Sequence, residues 1–197
     1  MFTGIVEETG VVASIEASDG SRRLQITAGK VLDNIEVGDS IAINGVCLTV
    51  TSRSSDHVDV IAVGETLGRT NLGGLGEGHR VNLERPMKAD GRFDGHIVQG
   101  HIDGAVTISS IMEEGDSRRI GLTLDPGLAR YLVEKGSVTL DGVSLTVTAV
   151  ESDEFEVVLI PHTLEATVWG DRHVGEVVNL EVDVLAKYVE RLTGSQL

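Results

Sequence analysis

The sequence predicts an all-β protein that consists of two similar small antiparallel barrels or sandwiches followed by a C-terminal helix. Three observations lead to this fold class: an internal repeat, many short apolar runs bounded by turn residues, and a terminal segment with helical periodicity. The chain has 197 residues, of which 41% are hydrophobic, so it can form a packed core. Its 24 glycines suit many tight turns.

The chain repeats itself at an offset of 97 residues. Residues 44–50 (NGVCLTV) match residues 141–147 (DGVSLTV) at five of seven positions. Two copies are too few for a solenoid and therefore indicate two domains. We expect an N-terminal barrel over residues 1–86 and a C-terminal barrel over residues 97–184. Residues 87–96 carry turn formers and mixed charge, which is typical of a connector.

Each copy contains several predicted strands. Runs rich in Val, Ile, Leu and Thr span residues 41–51, 57–63, 137–150 and 155–160. Residues 178–184 alternate apolar and polar side chains, as a half-buried strand does. Asn44-Gly45 and Asp141-Gly142 are typical of hairpin turns. One short helix per copy is expected, around residues 30–36 in the first copy and from a cap at Asp125 to Gly136 in the second.

The C-terminal segment, residues 185–197, has no counterpart in the first copy. Leu185, Tyr188, Val189 and Leu192 recur at i, i+3, i+4 and i+7, which predicts an amphipathic helix. A helix of two to three turns is unstable alone. It must therefore dock on its own chain or on another, and we favour an oligomer.

Charge and cysteine usage limit the partners and the location. The net charge of −15 makes nucleic acid and anionic membranes poor partners for the chain as a whole. No apolar run approaches the roughly 18 residues of a membrane span, and the N-terminus lacks the pattern of a secretory signal. The single Cys47 cannot form an internal disulfide, so a cytoplasmic location is expected.

The residues just after the two predicted hairpin turns are candidates for ligand contact. Cys47 and Ser144 occupy equivalent positions in the repeat, at the start of a strand, where a strand end often meets a ligand. Alternatively, Cys47 is a small buried residue, as free cysteines usually are. Thr49 and Thr146 can bind a polar heterocycle by hydrogen bonds or can simply reflect the preference of threonine for strands.

The histidines and one aspartate are further candidates. His96 and His101 are five residues apart, a spacing that suits neither a helical nor a strand ligand pair, so no metal site is expected. At the offset of 97, His101 takes the position of Gly4. It is either a general base or a surface strand histidine. Asp183 is either solvent-facing or a shielded carboxylate.

Several segments together resemble the riboflavin synthase family, alpha chain. The segments are residues 1–8 (MFTGIVEE), 44–50, 95–104 (GHIVQGHIDG), 141–147, 178–183 (VNLEVD) and 187–192 (KYVERL). The resemblance implies a homotrimer whose subunits each contain two six-stranded antiparallel barrels and a C-terminal helix that trimerises. It leaves open whether a lumazine synthase shell surrounds the enzyme.

The resemblance also implies the activity. Two molecules of 6,7-dimethyl-8-ribityllumazine, one per barrel, dismutate to riboflavin and 5-amino-6-ribitylamino-pyrimidinedione by transfer of a four-carbon unit. This is the last step of riboflavin biosynthesis, and it needs no metal or organic cofactor. The active site lies between the N-terminal barrel of one subunit and the C-terminal barrel of a neighbour.

The resemblance further implies the site residues. In the N-terminal barrel they are Gly4, Ile5, Val6, Cys47, Leu48, Thr49, Ile61, Ala62, Val63, Gly64, Glu65 and Thr66. In the C-terminal barrel they are Gly100, His101, Ile102, Lys135, Ser144, Leu145, Thr146, Val158, Leu159, Ile160, Pro161, His162 and Thr163. The reacting atoms are surrounded by His101, Cys47, Ser144, Thr146, Asp183 and Ser40. His101 is assigned to proton transfer or carbanion stabilisation. Cys47 or Ser144 assists a nucleophile at C7, a role for which water and the ribityl hydroxyl compete.

Three other functions compete with this one. Lumazine proteins and yellow fluorescent proteins of luminous bacteria resemble the same family but hold a fluorophore without turnover, and the presence of Cys47, His101, Ser144 and Asp183 favours the enzyme. A flavin-dependent reductase needs an additional nucleotide-binding domain. An oligonucleotide-binding barrel is disfavoured by the acidic charge and by an aromatic content of only 3%.

Overall fold

The computed structural model describes residues 1–194, which form two closed six-stranded antiparallel barrels and a C-terminal helix. The first barrel contains β1 (Glu8–Ser18), β2 (Ser21–Thr27), β3 (Ser40–Ile43), β4 (Val46–Arg53), β5 (His57–Val63) and β6 (Arg80–Glu84). The second contains β7 (Gly104–Glu114), β8 (Ser117–Thr123), β9 (Ser137–Leu140), β10 (Val143–Val150), β11 (Glu154–Leu159) and β12 (Val177–Val182). The helices are α1 (Gly64–Arg69), α2 (Pro126–Ala129), α3 (Pro161–Ala166) and α4 (Val184–Thr193). The predicted fold class is confirmed.

Both barrels close in the same way. The first follows the order β1-β2-β5-β4-β3-β6 and the second has the equivalent order β7-β8-β11-β10-β9-β12, in each case with the last strand paired to the first. Closure pairs every strand on both sides and removes exposed edges. Each barrel encloses its own apolar core, which is built from alternate residues such as Val58 and Val60 of β5 and Val157 and Leu159 of β11.

The two predicted hairpin turns are confirmed. Asn44 and Gly45 have φ angles of 46° and 77°, and Asp141 and Gly142 have 46° and 80°, as a turn between twisted strands requires. The turns also touch each other, because a Cβ added at Gly45 would lie 2.7 Å from the backbone nitrogen of Gly142. The glycines therefore allow the two barrels to meet at these turns.

The expectation of one short helix per copy is wrong. Residues 30–36 contain only a 3-10 turn at Lys30–Leu32. Asp125 does cap α2, accepting a hydrogen bond from Gly127 N at 2.7 Å, but α2 ends at Ala129 and not at Gly136. Beyond Ala129 the backbone forms i→i−3 turns, with Tyr131 N bonded to Leu128 O and Leu132 N to Ala129 O. Lys135 then adopts φ 67° and donates its N–H to Val147 O of β10 just before β9. Each copy also has a second helix, α1 or α3, that the pattern did not reveal.

The offset between the copies is not constant. β1 and β2 correspond to β7 and β8 at an offset of 96, whereas the later strands correspond at 97. The additional residue falls between β8 and β9, where α2 is one residue longer than the 3-10 turn of the first copy. His101 is therefore the counterpart of Ile5 and not of Gly4. The counterpart of Gly4 is Gly100, and these two residues share φ angles of 77° and 79°.

The segments that precede β1 and β7 cross between the barrels. Phe2 and Val98 pair as an antiparallel bridge. Ser144 N donates to Gly4 O at 2.8 Å, and Cys47 N donates to Gly100 O at 2.9 Å. Each leading segment therefore lies against the other copy's barrel, at the start of β10 or of β4.

Helix α4 is confirmed over Val184–Thr193. Asp183 caps it by accepting a hydrogen bond from Leu185 N at 2.9 Å, and Gly194 ends it with φ 67°. The predicted apolar face is exposed, from 55% at Leu185 to 84% at Leu192. This face does not dock on its own chain. Residues 195–197 of the predicted segment lie outside the described residues. None of the helices in residues 1–194 has the length and apolar character that crossing a membrane requires.

Candidate active site

A polar cluster lies at the start of β10 in the C-terminal barrel. Ser144 faces Thr139 of β9 as its cross-strand partner. His96 bridges the two side chains: its Nδ1 lies 2.7 Å from Ser144 Oγ, and its Nε2 lies 3.1 Å from Thr139 Oγ1. Thr139 is fully buried and His96 is 8% exposed, whereas Ser144 is partly exposed. Burial lowers the pKa of His96, with a smaller opposing effect from the Asp183 carboxylate, so the imidazole is held neutral.

The equivalent place in the N-terminal barrel is apolar. Cys47 faces Ala42 in the same register. Ala42 packs with Phe2 and Val98 in a small core that the Cys47 side chain touches. The thiol is partly exposed. The two copies thus present a thiol and a histidine-bound hydroxyl at matched backbone positions.

Two buried glutamates hold the leading segments in place. Glu84 accepts hydrogen bonds from Thr3 N, Thr3 Oγ1 and Gly4 N at 2.7, 3.0 and 3.1 Å. Glu181 accepts them from Gln99 N at 2.7 Å and Gly100 N at 2.9 Å. Burial is the main cause that raises the pKa of both carboxyls, to about 7 for Glu181. Through Gly4 and Gly100 these glutamates position the backbone that binds Ser144 and Cys47.

Gly4 and Gly100 each bond to both barrels, so the predicted grouping of the leading residues by barrel stays a prediction. Gly4 and Val6 were expected with the N-terminal barrel, but Gly4 binds Ser144 and Val6 packs on the core of the C-terminal barrel. Gly100 and Ile102 were expected with the C-terminal barrel, but Gly100 binds Cys47 and Ile102 packs on the core of the N-terminal barrel. Ile5 and His101 are exposed, and their assignment to a barrel stays a prediction.

The other predicted site residues differ in accessibility. Exposed residues are Ile5, Thr49, Ile61, Val63, Gly64, Glu65, His101, Lys135, Thr146, Ile160, Pro161 and His162. Partly exposed residues are Val6, Ser40, Thr66, Ile102, Val158, Thr163 and Asp183. Buried residues are Gly4, Leu48, Ala62, Gly100, Leu145 and Leu159. The side chains of Leu48, Ala62, Leu145 and Leu159 lie in the barrel cores, so only their backbone atoms are available to a ligand.

An open cleft of about 600 Å³ lies between the N-terminal barrel and the connector. It brings together the predicted residues Ile5 and Ser40. The remaining lining residues include Thr3, Glu84 and Arg85 and several connector residues between Pro86 and Asp94. Cys47, His101 and Ser144 are not among the lining residues. This cleft therefore does not bring the predicted catalytic residues together.

Sequence reasoning missed four residues of this region: His96, Thr139, Glu84 and Glu181. The glutamates carried a usable signal, because both end a VNLE repeat. His96 was considered only as a metal ligand. Across residues 1–194, no group of three or more His, Cys, Asp or Glu side chains is arranged to hold a metal ion.

Comparison with known proteins agrees with the two-barrel architecture. The Lumazine binding domain family matches residues 3–86 and again residues 99–183. Crystal structures of LumP superpose on the chain. The complex with 6,7-dimethyl-8-(1'-D-ribityl) lumazine gives a TM-score of 0.84 at 27% identity, covering 92% of this chain and 99% of LumP. The complex with riboflavin gives a TM-score of 0.85 at 29% identity with the same coverage. The fold and the repeated match define a protein with two lumazine binding domains.

Relatives that align with nearly the whole chain show which family within this class it belongs to. The riboflavin synthase of Mycobacterium tuberculosis (strain ATCC 25618 / H37Rv) is 50% identical over 201 residues, covering 99% of both chains. The riboflavin synthase of Actinobacillus pleuropneumoniae is 48% identical over 191 residues, covering 97% of this chain and 89% of that one. The chain belongs to the riboflavin synthase family.

Proposed function

We propose that this protein converts two molecules of 6,7-dimethyl-8-ribityllumazine to riboflavin and 5-amino-6-ribitylamino-pyrimidinedione. The observation that carries the proposal is the pair of lumazine binding domains in one chain that is 50% identical to a riboflavin synthase over 99% of its length. A four-carbon unit moves from one lumazine to the other. The two substrates together contain all the atoms of the two products, so the reaction needs no external oxidant or reductant.

Each barrel binds one lumazine at the exposed strand starts around Cys47 and Thr49 or around Ser144 and Thr146. Holding the two rings face to face replaces an encounter in solution by a preoriented pair, which supplies much of the rate acceleration. His101 directly follows Gly100, whose carbonyl binds Cys47 N, and its imidazole is exposed. It takes part in proton transfer at the C7 methyl group or stabilises the resulting carbanion.

We further propose a homotrimer in which the N-terminal barrel of one subunit faces the C-terminal barrel of the next. The exposed apolar face of α4 and the open cleft beside Ile5 and Ser40 support this assembly. Light scattering should give three times the mass of the chain. Replacing Leu185 and Val189 by Ser should give monomers with little turnover. A monomeric wild-type protein with full activity would contradict the proposal.

The direct test incubates the purified protein with 6,7-dimethyl-8-ribityllumazine alone and follows its absorbance. Riboflavin should form at half the rate of lumazine loss, with no cofactor added. The variant H101Q should reduce kcat more than it weakens lumazine binding. A loss of affinity with unchanged kcat would reject the role given to His101.

A lumazine-binding protein without turnover is the second candidate, because the chain superposes on LumP with a TM-score of 0.84. Tight lumazine binding with unchanged spectra over hours would favour it. A cytoplasmic location and an association with lumazine synthase stay predictions, which fractionation and co-purification from the source cell would test.

A further inference from the structure

The two hydrogen bonds of His96, to Thr139 and to Ser144, determine which atom of each pair carries the proton. Thr139 Oγ1 is fully buried, and among the described residues its hydrogen-bonding partner is His96 Nε2. A buried hydroxyl that cannot donate its proton carries a desolvation penalty. The Thr139 hydroxyl therefore donates to His96 Nε2, which makes this nitrogen the acceptor.

The tautomer of His96 follows from this assignment. A neutral imidazole carries one N–H, and the other nitrogen accepts. Since Nε2 accepts from Thr139, the proton is on Nδ1, and Nδ1 donates to Ser144 Oγ across 2.7 Å. The hydroxyl proton of Ser144 is not engaged by the histidine and is free for a ligand. Ser144 is partly exposed, whereas the two residues behind it are buried.

We propose that His96 and Thr139 fix Ser144 as a hydrogen-bond donor to the lumazine held by the C-terminal barrel. This inference rests on the proposed function and adds a residue to it: His96 is a positioning residue that acts through Ser144. Its consequence is that Ser144 is not the nucleophile at C7. A serine is activated when the histidine accepts its proton, and here the imidazole nitrogen that contacts Ser144 Oγ already carries one.

Among the described residues, the N-terminal barrel has no histidine-bound hydroxyl at the matching position. Cys47 takes the place of Ser144 and Ala42 takes the place of Thr139. Within the part of the chain that the structure describes, no histidine bonds to Cys47 in the way that His96 bonds to Ser144. A thiol is a weak donor. The lumazine in the C-terminal barrel is therefore held by a directed hydroxyl that the other lumazine does not have. Its acceptor is a ring nitrogen or carbonyl oxygen of the heterocycle.

The tautomer is measured directly by ¹⁵N NMR of histidine-labelled wild-type protein, with the signals of His96 assigned by their absence from H96N. The expected result is a protonated Nδ1 and an unprotonated Nε2 in the free protein at neutral pH. The variant S144A should keep this tautomer, because Thr139 still donates to Nε2. A protonated Nε2 in the wild-type protein would overturn the proposal. The measurement needs no turnover, so it stands even if the proposed reaction is absent.

Kinetics separate a hydrogen-bond donor from a nucleophile. In S144A we expect lumazine affinity to fall about tenfold, the loss of one neutral hydrogen bond, with kcat within about twofold of wild type. H96N should stay within about threefold of wild-type affinity, because its amide can still donate to Ser144 Oγ, whereas H96L should match S144A. A fall in kcat of a hundredfold or more in S144A at unchanged affinity would identify a nucleophile and reject the proposal. So would equal losses of kcat in H96N and H96L.

Discussion

The two barrels share one backbone but differ in the chemistry that they present to a ligand and to each other. At the start of β4 in the N-terminal barrel, Cys47 is the cross-strand partner of Ala42. At the start of β10 in the C-terminal barrel, Ser144 is the cross-strand partner of Thr139, and His96 is hydrogen-bonded to both. The duplicated fold therefore fixes where a side chain stands and leaves its chemistry free to diverge. Such divergence suits a reaction in which two identical substrates must play different parts.

A second difference lies in the interface between the barrels. In the first copy the hairpin residue is Asn44, and the position equivalent to Arg172 is Leu75. In the second copy Asp141 is fully buried and forms an ion pair with Arg172. Buried ion pairs are sensitive to the loss of either partner, because the remaining charge is left uncompensated. At this interface the N-terminal barrel therefore contributes a neutral pair of side chains and the C-terminal barrel a charged pair.

The largest effect should come from the crossing segments that both copies share. In G100A the new Cβ would lie 2.6 Å from the Cβ of Cys47 at a φ of 79°. We expect a loss of about 4 kcal/mol in the free energy of unfolding, since overpacking adds to left-handed strain. G20A is the matched control, because Gly20 has φ 70° with nothing within 4 Å, and should lose only about 1 kcal/mol. Urea unfolding measures both. Equal losses would show that the close approach to Cys47 is unimportant.

Replacing Asp141 and Arg172 by the neutral residues of the first copy tests how the ion pair affects stability. D141N and R172L should each cost about 3 kcal/mol in the free energy of unfolding. D141N leaves Arg172 with only the partly exposed Glu176 as an ionic partner, and R172L leaves the buried Asp141 carboxyl without its cation. The double variant D141N/R172L reproduces Asn44 and Leu75 and should recover to within about 1 kcal/mol of wild type. Denaturant unfolding of all four proteins completes the cycle. Additive losses in the double variant would show that the pair is not coupled.

The raised pKa values of the buried Glu84 and Glu181 predict how stability depends on pH. The pKa of Glu181 is raised to about 7 by burial, above the 4.5 of an exposed glutamate. Its contribution to stability is therefore complete below pH 4.5 and is lost as pH rises to about 7, because the unfolded chain ionises first. Between these pH values wild type should lose on the order of 2 kcal/mol relative to E181Q. E84Q should differ from wild type in the same direction. Thermal unfolding across this pH range checks both, and parallel curves for wild type and E181Q would contradict the raised pKa.

The smallest effect should come from a surface difference between the copies. Arg69 pairs with Glu65 on α1, and both side chains are well exposed. The equivalent residues of α3 are Ala166 and His162. R69A, which gives the first copy the residue of the second, should change the free energy of unfolding by less than about 0.5 kcal/mol, because exposed ion pairs contribute little. A loss above 1 kcal/mol in the same urea assay would indicate that Arg69 has a buried role in the assembled protein.

The chain sequence by itself determined the features that depend on local rules. The repeat predicted two barrels, the Asn44-Gly45 and Asp141-Gly142 pairs predicted both hairpins because they accept positive φ angles, and the spacing of Leu185, Tyr188 and Leu192 predicted α4. The prediction of the short helices failed because a helix of four to six residues carries too little periodicity to be recognised, as α2 and α3 show. The predicted roles of the individual site residues stay predictions.

Only the tertiary structure decided the contacts between segments distant in sequence. His96 meets Ser144 across 48 positions, and Glu181 meets Gly100 across 81, because the segment that precedes β7 crosses between the two barrels. The shift of the offset from 97 to 96 also became visible only through backbone pairing, and it replaced Gly4 by Ile5 as the counterpart of His101. Periodicity and turn chemistry act over a few residues, whereas a site is assembled by the packing of the whole fold. The sequence therefore predicted the barrels and the candidate strand starts, while the structure supplied the partner that orients Ser144.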